Sequence, residues 1–590
     1  METDPMDAMP RQGTPSIAGY VRDIRTTSFD ARETYNMFPV VALSLLAVFL
    51  LYQLTRRGPR VTIARLRGPK SLSFLYGYLP TLVQDQAGAK DFQLQGTYGD
   101  VIRIRAPLGE NRLLLMDPKA LQHIFYNSGY RYSKPTGIRV ILGTVLGPGL
   151  FHAEGEDHKR QRKIVLPGFG SRELRTFVPI FCSYAGRMTA YWRSIIAAEN
   201  SESAVIEVTS WITRALLDAT GEAAFDYQFG SLDNSETELA KAYAHMALNV
   251  FGVPSKLALL VMCAMDSWLP EFVSQFLTNI PVPRLNVARS VNSISTKVAK
   301  GLVDDKQALL LEGKGNKDIM IKANALEDRK KRLPENELWA QMNTIIVAGH
   351  ETTTNALAWA LLELARHPDI QTKLRAEIRA YLRNRTVSEL TAEDFDSMPY
   401  LTAVVKESLR FHPTLHHAYR YACEDDVLPL SQPIIDADGK VLTEIPIPRG
   451  TYIFCSIAAY NRNKEIFGAD ADLYNPERWL KGTVKPSSDA SIGVYANLWV
   501  SFVTLADAAH LLLRVYRFTF IGGKRSCTGW RFALLEMHAF IVELVKSFEF
   551  ELTADAHKIR REPCAVVTPT VEGEVDKGPQ LKLKVRMVSK

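Results

Sequence analysis

The chain predicts a single, mainly α-helical domain with small β-sheets, carried behind one apolar N-terminal helix. Three observations lead there. From Glu156 to about Phe411 the pattern is mainly helical, and the run Glu335 to Arg366 reads as one very long helix ending before Pro368. Short alternating segments stand at both ends: YGDVIRIRAPLGENRLLLMDP reads as two strands about a turn at Gly109, and QLKLKVRMV as a terminal strand. No internal repeat and no linker divides residues 61–590, so these elements belong to one body.

The elements follow in chain order. Residues 1–36 form a tail that mixes acids with arginines. Residues 37–54, MFPVVALSLLAVFLLYQL, carry no charge, and only Ser44 and Gln53 are polar. That is just long enough to span a bilayer, and it keeps no polar face for packing in a soluble core. Arg56, Arg57 and Arg60 follow at once, which places the large C-terminal part in the cytosol. The segment starts far from Met1 and has its basic cluster on the C-terminal side, so a retained single-pass anchor is expected rather than a cleaved signal. Asp117 is placed to cap a short helix starting at DPKALQHIF. Residues 127–155, rich in Gly, Pro and Ser, read as a long functional loop. A last helix is expected from about Thr528 to Phe548.

Composition narrows the function class. Of 590 residues, 46% are hydrophobic and 23% charged, which is ordinary globular composition and excludes collagen-like or low-complexity polymer. Six cysteines stand without any C-x-x-C pair, which suggests neither a zinc cluster nor a secreted disulfide framework. A reduced, cytosol-facing body fits better. The net charge of +7 suits an anionic membrane surface or an acidic protein partner, and is too diffuse for nucleic acid.

The most informative segment is FTFIGGKRSCTGWRFALLEM, where Phe520, Gly523, Arg525, Cys527 and Gly529 stand in the order F-x-x-G-x-R-x-C-x-G before a helix. Glycines let the backbone turn tightly and approach a flat ligand. Cys527 at a helix start would be favoured as a thiolate by unpaired N–H groups and the macrodipole. Arg525 could pair with an anionic haem propionate. An inert buried cysteine, the usual fate of a lone one, does not account for five placed residues.

This segment resembles the haem-binding loop of the cytochrome P-450 family, which makes Cys527 the axial ligand of the haem iron. Ala348-Gly349-His350-Glu351-Thr352-Thr353 similarly resembles the oxygen-activation motif A-G-x-D/E-T-T/S. A glycine beside hydroxyl-bearing threonines is poor helix chemistry, and a distorted turn there would leave a groove for dioxygen and a water. The resemblance makes Thr352 the hydrogen-bond donor to bound oxygen and Glu351 the proton source, with Ala348 and Gly349 among the haem contacts. Glu407-Ser408-Leu409-Arg410 matches E-x-x-R, and Arg478 in NPERW would complete a buried triad that holds the core and the haem loop. Taken alone, E-x-x-R is equally an exposed surface pair. His158 and Arg162 occupy the place of the family's W-x-x-x-R and would face one propionate. A solvated basic helix face is the other reading. Arg420 resembles a propionate-binding arginine at the start of a strand.

The resemblance covers roughly residues 61–590, with four motifs in the expected order. It implies the cytochrome P-450 fold, triangular and largely helical, with haem b buried between the long helix and the cysteine loop. The family reaction is RH + O2 + two electrons + two protons giving ROH and water. No Rossmann or flavin fingerprint is evident, so the implied electron donor is a separate NADPH-cytochrome P-450 reductase, with cytochrome b5 as a second donor, docking near Lys524. Substrate choice would lie in residues 127–150, Asn343–Val347, Thr414–Tyr419 and Val566–Thr570, which are poor in charge. A terpenoid, steroid, fatty acid or polycyclic aromatic is therefore expected. The style is that of a fungal microsomal member of the endoplasmic reticulum, in secondary metabolism or xenobiotic oxidation. Two other readings stay open. A same-fold isomerase or dehydratase needs no reductase, though Glu351 and Thr352 argue against it. A non-catalytic haem protein is suggested by Trp499–Arg517, WVSFVTLADAAHLLLRVYR, whose removal leaves GVYANLFTFIGG, an ordinary family sequence. That stretch is expected to be a translated intron, the alternative being a genuine insertion. A smaller gap is suspected at KDIMIKANA near Met320.

Overall fold

The computed structural model describes Ser44 and residues 61–233, 238–244, 246–311, 332–481, 484 and 518–588. The chain divides into two units, Met1–Gly58 and Pro59–Lys590, and the elements below belong to the second. Apart from Ser44, the expected anchor 37–54 lies outside the described residues. So do residues 499–517 and the suspected gap near Met320. Among the described residues no single helix is long and apolar enough to cross a membrane.

Strands β1 (Val101–Arg105) and β2 (Asn111–Leu115) pair antiparallel, Val101 opposite Leu115 and Arg105 opposite Asn111. Leu108 and Gly109, at φ 55° and 76°, make the left-handed turn between them, where the glycine was expected. The Asp117 carboxylate accepts the Ala120 N–H at 2.9 Å and so starts α1 (Pro118–Gln122). Residues 127–155, expected to be a loop, instead hold β3 (Tyr132–Ser133) and α2 (Thr136–Leu146). Gly and Thr obscured the periodicity of TGIRVILGTVL, yet Val140, Val145 and Leu146 are buried. Gly147, at φ 80°, ends the helix with its N–H on the Gly143 carbonyl.

Then come α3 (Gly155–Val165), α4 (Val178–Ala198), β4 (Ser203–Glu207), α5 (Val208–Phe225), α6 (Glu238–Ala244), α7 (Pro283–Leu311), α8 (Glu335–Arg366) and α9 (Pro399–Phe411). The bounds of α8 are those read from the sequence. After β5 (His417–Ala422), β6 (Asp426–Ile435), β7 (Val441–Ile447) and β8 (Tyr452–Ser456), α10 (Trp530–Ser547) leads into β9 (Phe548–Leu552), β10 (Ile559–Pro563), β11 (Val567–Val571) and β12 (Lys582–Met587).

The strands form a five-stranded sheet in the order β1-β2-β8-β5-β3, a three-stranded sheet β4-β12-β9, and the hairpins β6-β7 and β10-β11. Helices α4, α5, α8 and α10 share the largest apolar core, in which Trp192, Leu357, Leu361, Phe540 and Leu544 are fully buried. Each such side chain contributes about 1.5–3 kcal/mol by leaving water. The architecture is mainly helical with small sheets, and α8 and α10, in mutual contact, carry the oxygen motif and follow the cysteine loop.

Candidate active site

Loop Phe518–Gly529 is held by its own backbone before α10 begins. The Ile521 N–H donates to Phe518 O at 2.9 Å, the Cys527 N–H to Phe520 O at 3.0 Å, and the Ser526 N–H to Gly523 O at 3.1 Å. Gly523 stands at φ 67°, and a Cβ there would lie 1.8 Å from the Phe125 carbonyl oxygen. Only glycine fits. The aromatic ring of Phe520 packs against the main core.

Cys527 keeps accessible surface although protein surrounds it, so its sulfur lies in a recess of the body. Burial pushes its thiol up to about 11, against the pull of the Gly529 N–H and of Arg162. Helix α10 begins only at Trp530, and desolvation outweighs its end charge, so ionisation requires a bound cation.

Near this recess lies a cluster of largely buried cations. Arg525 has an Nη1 without a hydrogen-bond partner, and its Nη2 pairs with Glu154. Lys134 Nζ lies 2.9 Å from Glu154 Oε1, and burial pulls that ammonium down to about 8. Arg420, in the middle of β5 rather than at its start, is 5% exposed and donates to Tyr419 O at 2.8 Å. Burial lowers it to about 10. One carboxylate thus faces Arg525, Lys134 and Arg420, a charge balance that calls for a further anion. A flat group bearing carboxylates and a metal for the Cys527 sulfur fits these residues. Lys134 and Glu154 were missed in the sequence, where nothing local distinguishes them from surface charges.

His158 and Arg162 lie on α3, one turn apart, but serve different partners. Tyr130 Oη and His158 Nδ1 are 2.9 Å apart. Burial and the neighbouring Arg525, Lys134 and Arg162 pull this imidazole down to about 3, so it is neutral. Arg162 donates to Ser526 O at 2.7 Å and to Ser526 Oγ at 3.0 Å, clamping the residue before Cys527.

On α8, Thr352 Oγ1 donates to Ala348 O at 2.7 Å and Thr353 Oγ1 to Gly349 O at 3.0 Å. The helix is unbroken through the motif, so the expected distorted turn is absent. Back-bonding absorbs the hydroxyls instead. Gly349 has a packing reason as well: a Cβ there would lie 2.7 Å from Thr220 Cγ2 on α5. Glu351 keeps 12% of its side chain exposed, and burial pushes its carboxyl up to about 7 against the pull of Asn355.

Glu407, Arg410 and Arg478 form the buried triad, each 2% exposed or less. Arg410 donates to Glu407 Oε2 at 2.9 Å and Oε1 at 2.7 Å, and Arg478 Nε to Oε1 at 3.0 Å. Trp479 Nε1 and the Asn475 N–H complete the carboxylate's partners, so it lies below the usual carboxylate range despite burial. Arg410 also holds Asn461 O at 2.9 Å, and Asn461 Nδ2 donates to Thr519 Oγ1 in the cysteine loop at 3.0 Å.

Two of the four segments expected to choose the substrate are joined directly. The Val567 N–H donates to Thr414 O at 2.8 Å, and Trp359 Nε1 to Val567 O at 2.8 Å. Ala247, Cys564 and Val566 pack with Leu248 and Leu415 in one small apolar cluster. Residues 247–248 were not among the expected segments.

A model of the cytochrome P-450 family matches residues 66–576. Cytochrome P-450 monooxygenase 205 of Postia placenta is 34% identical over 88% of this chain and 92% of its own length. Cytochrome P-450 monooxygenase claQ of Ampulloclitocybe clavipes is 32% identical over 93% and 98%. A ganoderic acid synthetase of Ganoderma lucidum is 32% identical over 90% and 95%. The chain thus has fungal monooxygenase homologues, and the family implies a haem cofactor, a redox partner, dioxygen and lipophilic substrates. A cysteine loop leading into a helix packed on an unbroken Glu-Thr helix, in a chain matched over most of its length, identifies this protein as a member of the cytochrome P-450 family, a monooxygenase that incorporates oxygen from O2.

Proposed function

We propose that this monooxygenase inserts one oxygen atom into a small apolar molecule of the terpenoid, steroid, fatty acid or polycyclic aromatic classes, in fungal secondary metabolism or xenobiotic oxidation. One observation carries the reading: the Cys527 sulfur keeps accessible surface within the body, near the cations Arg525, Lys134 and Arg420. Haem b, bound through that sulfur, supplies the activation of dioxygen. Arg525, Arg420 and Lys134 would hold its propionates, with neutral His158 as a further donor, while Gly523 and Phe520 shape the loop. Arg162 keeps Cys527 in place through Ser526. On the opposite helix Thr352 would turn its hydroxyl from Ala348 O toward oxygen, and Glu351, near neutrality in its titration, would supply protons. The apolar cluster at Leu415 and Val566 supports an apolar substrate. Similarity to a protein named ganoderic acid synthetase supports a biosynthetic role.

Electrons come from NADPH through a separate reductase, with cytochrome b5 as a second donor, docking around exposed Lys524. Residues 37–54 anchor the protein once in the endoplasmic reticulum membrane with the catalytic body in the cytosol. Residues 499–517 are a translated intron, and a transcript that retains those codons contradicts this. Reconstitution with NADPH, reductase and a panel of apolar substrates tests the function. Product must form, and Thr352→Ala must cut product per NADPH about tenfold or more. Conversion without NADPH would favour an isomerase or dehydratase instead.

A further inference from the structure

His350 stands inside the oxygen motif without a part in the chemistry described so far. It is fully buried, and its ring lies 5.3 Å from that of Tyr243 on α6. Its Nδ1 is 2.6 Å from Ile346 O. A carbonyl only accepts, so Nδ1 carries the proton, and the neutral ring has a bare lone pair at Nε2. That Nε2 has no hydrogen-bond partner and lies 3.7 Å from Glu351 Oε2. A carboxylate has nothing to donate there; a protonated carboxyl does.

We propose that His350 is a positioning residue for Glu351, its Nε2 accepting a hydrogen bond from the protonated carboxyl and so keeping that acid loaded and in one orientation. This rests on the reading of Glu351 as proton source. Burial supports it twice, holding His350 down at about 4 and Glu351 up at about 7, so both are neutral together just below neutral pH. Of the other groups near the pair, the buried Glu562 carboxylate acts on Cys564 and accepts from Arg560 Nε at 3.1 Å. Tyr243 on α6 and Cys564 between β10 and β11 are both pushed up by burial, and Asn355, one turn along α8, is an amide. Arg284, which acts on Cys564, is engaged by the Gly252 and Val253 carbonyls at 2.9 and 2.7 Å.

Infrared titration of the ferric holoenzyme tests the proposal, with the carboxyl band assigned by its loss in Glu351→Gln. His350→Phe keeps the bulk and removes the acceptor, and should lower the band's midpoint by about half to one pH unit. The pH limb of product formed per NADPH should move with it. His350→Gln, which restores an acceptor near the ε position, should return both toward wild type. An unchanged midpoint in His350→Phe, or equal shifts in both variants, overturns the proposal. Wild type offers a test free of any folding defect: nitrogen resonances of His350 in the ferrous carbon monoxide form must show an unprotonated Nε2, and a protonated one overturns the proposal. Should Glu351→Gln itself leave the pH dependence of coupling unchanged, the proton-source reading fails, whereas His350 can fail alone with that reading intact.

Discussion

Gly523 is pressed so closely against the Phe125 carbonyl, and held at such a positive φ, that any side chain must move backbone on one side or the other. Gly523→Ala therefore combines left-handed strain with overpacking, about 3 kcal/mol together. The expected outcome is a loop that no longer presents Cys527, measured as loss of bound haem at wild-type expression; full haem content would contradict it. This glycine and Cys527 were legible in the sequence because a tight turn leaves a local mark. Lys134 and Glu154 were not, since only the fold brings them to Arg525 and no short-range pattern records that meeting. The burial of Cys527 escaped the sequence for a related reason. Helix-end stabilisation was readable from position, whereas the burial that outweighs it was not.

Helix α9 and the segment after it are joined through Glu407, whose two oxygens are shared by Arg410, Arg478, Trp479 and the Asn475 N–H. Glu407→Gln keeps the volume and leaves two arginines buried without their central anion, which costs about 3–5 kcal/mol. Thermal unfolding should show this as a fall of several degrees in Tm, accompanied by weaker haem retention because Asn461 links Arg410 to Thr519. A wild-type Tm would contradict the structural role. At this scale, helix α8 was read to the residue, because a long periodic run stops at a proline. Helix α2 was missed because its glycines and threonines resemble a loop, and β4 because a strand is fixed by partner β12, far away in sequence.

The molecule as a whole buries ionisable groups of opposite pH consequence. Burial holds His158, His350, His412, His416 and His538 below the usual imidazole value, so the unfolded chain takes up protons that the folded one refuses. Their contribution is complete above about pH 6.5 and is lost as pH falls. Asp266, Glu351 and Glu536 are raised and act in the opposite sense, losing stability as pH rises through the same window. With the imidazole effect dominant, the urea midpoint should fall between about pH 7 and pH 5, and a rise would contradict that dominance. The expected anchor and residues 499–517 are read from the sequence alone, and neither bears on this body's chemistry as directly as the Cys527 sulfur. The most direct measurement is therefore the optical spectrum of the reduced, carbon monoxide-bound protein. A red-shifted Soret band that disappears in Cys527→Ala is the predicted result; a chain that binds no haem, or whose band survives that substitution, contradicts the account.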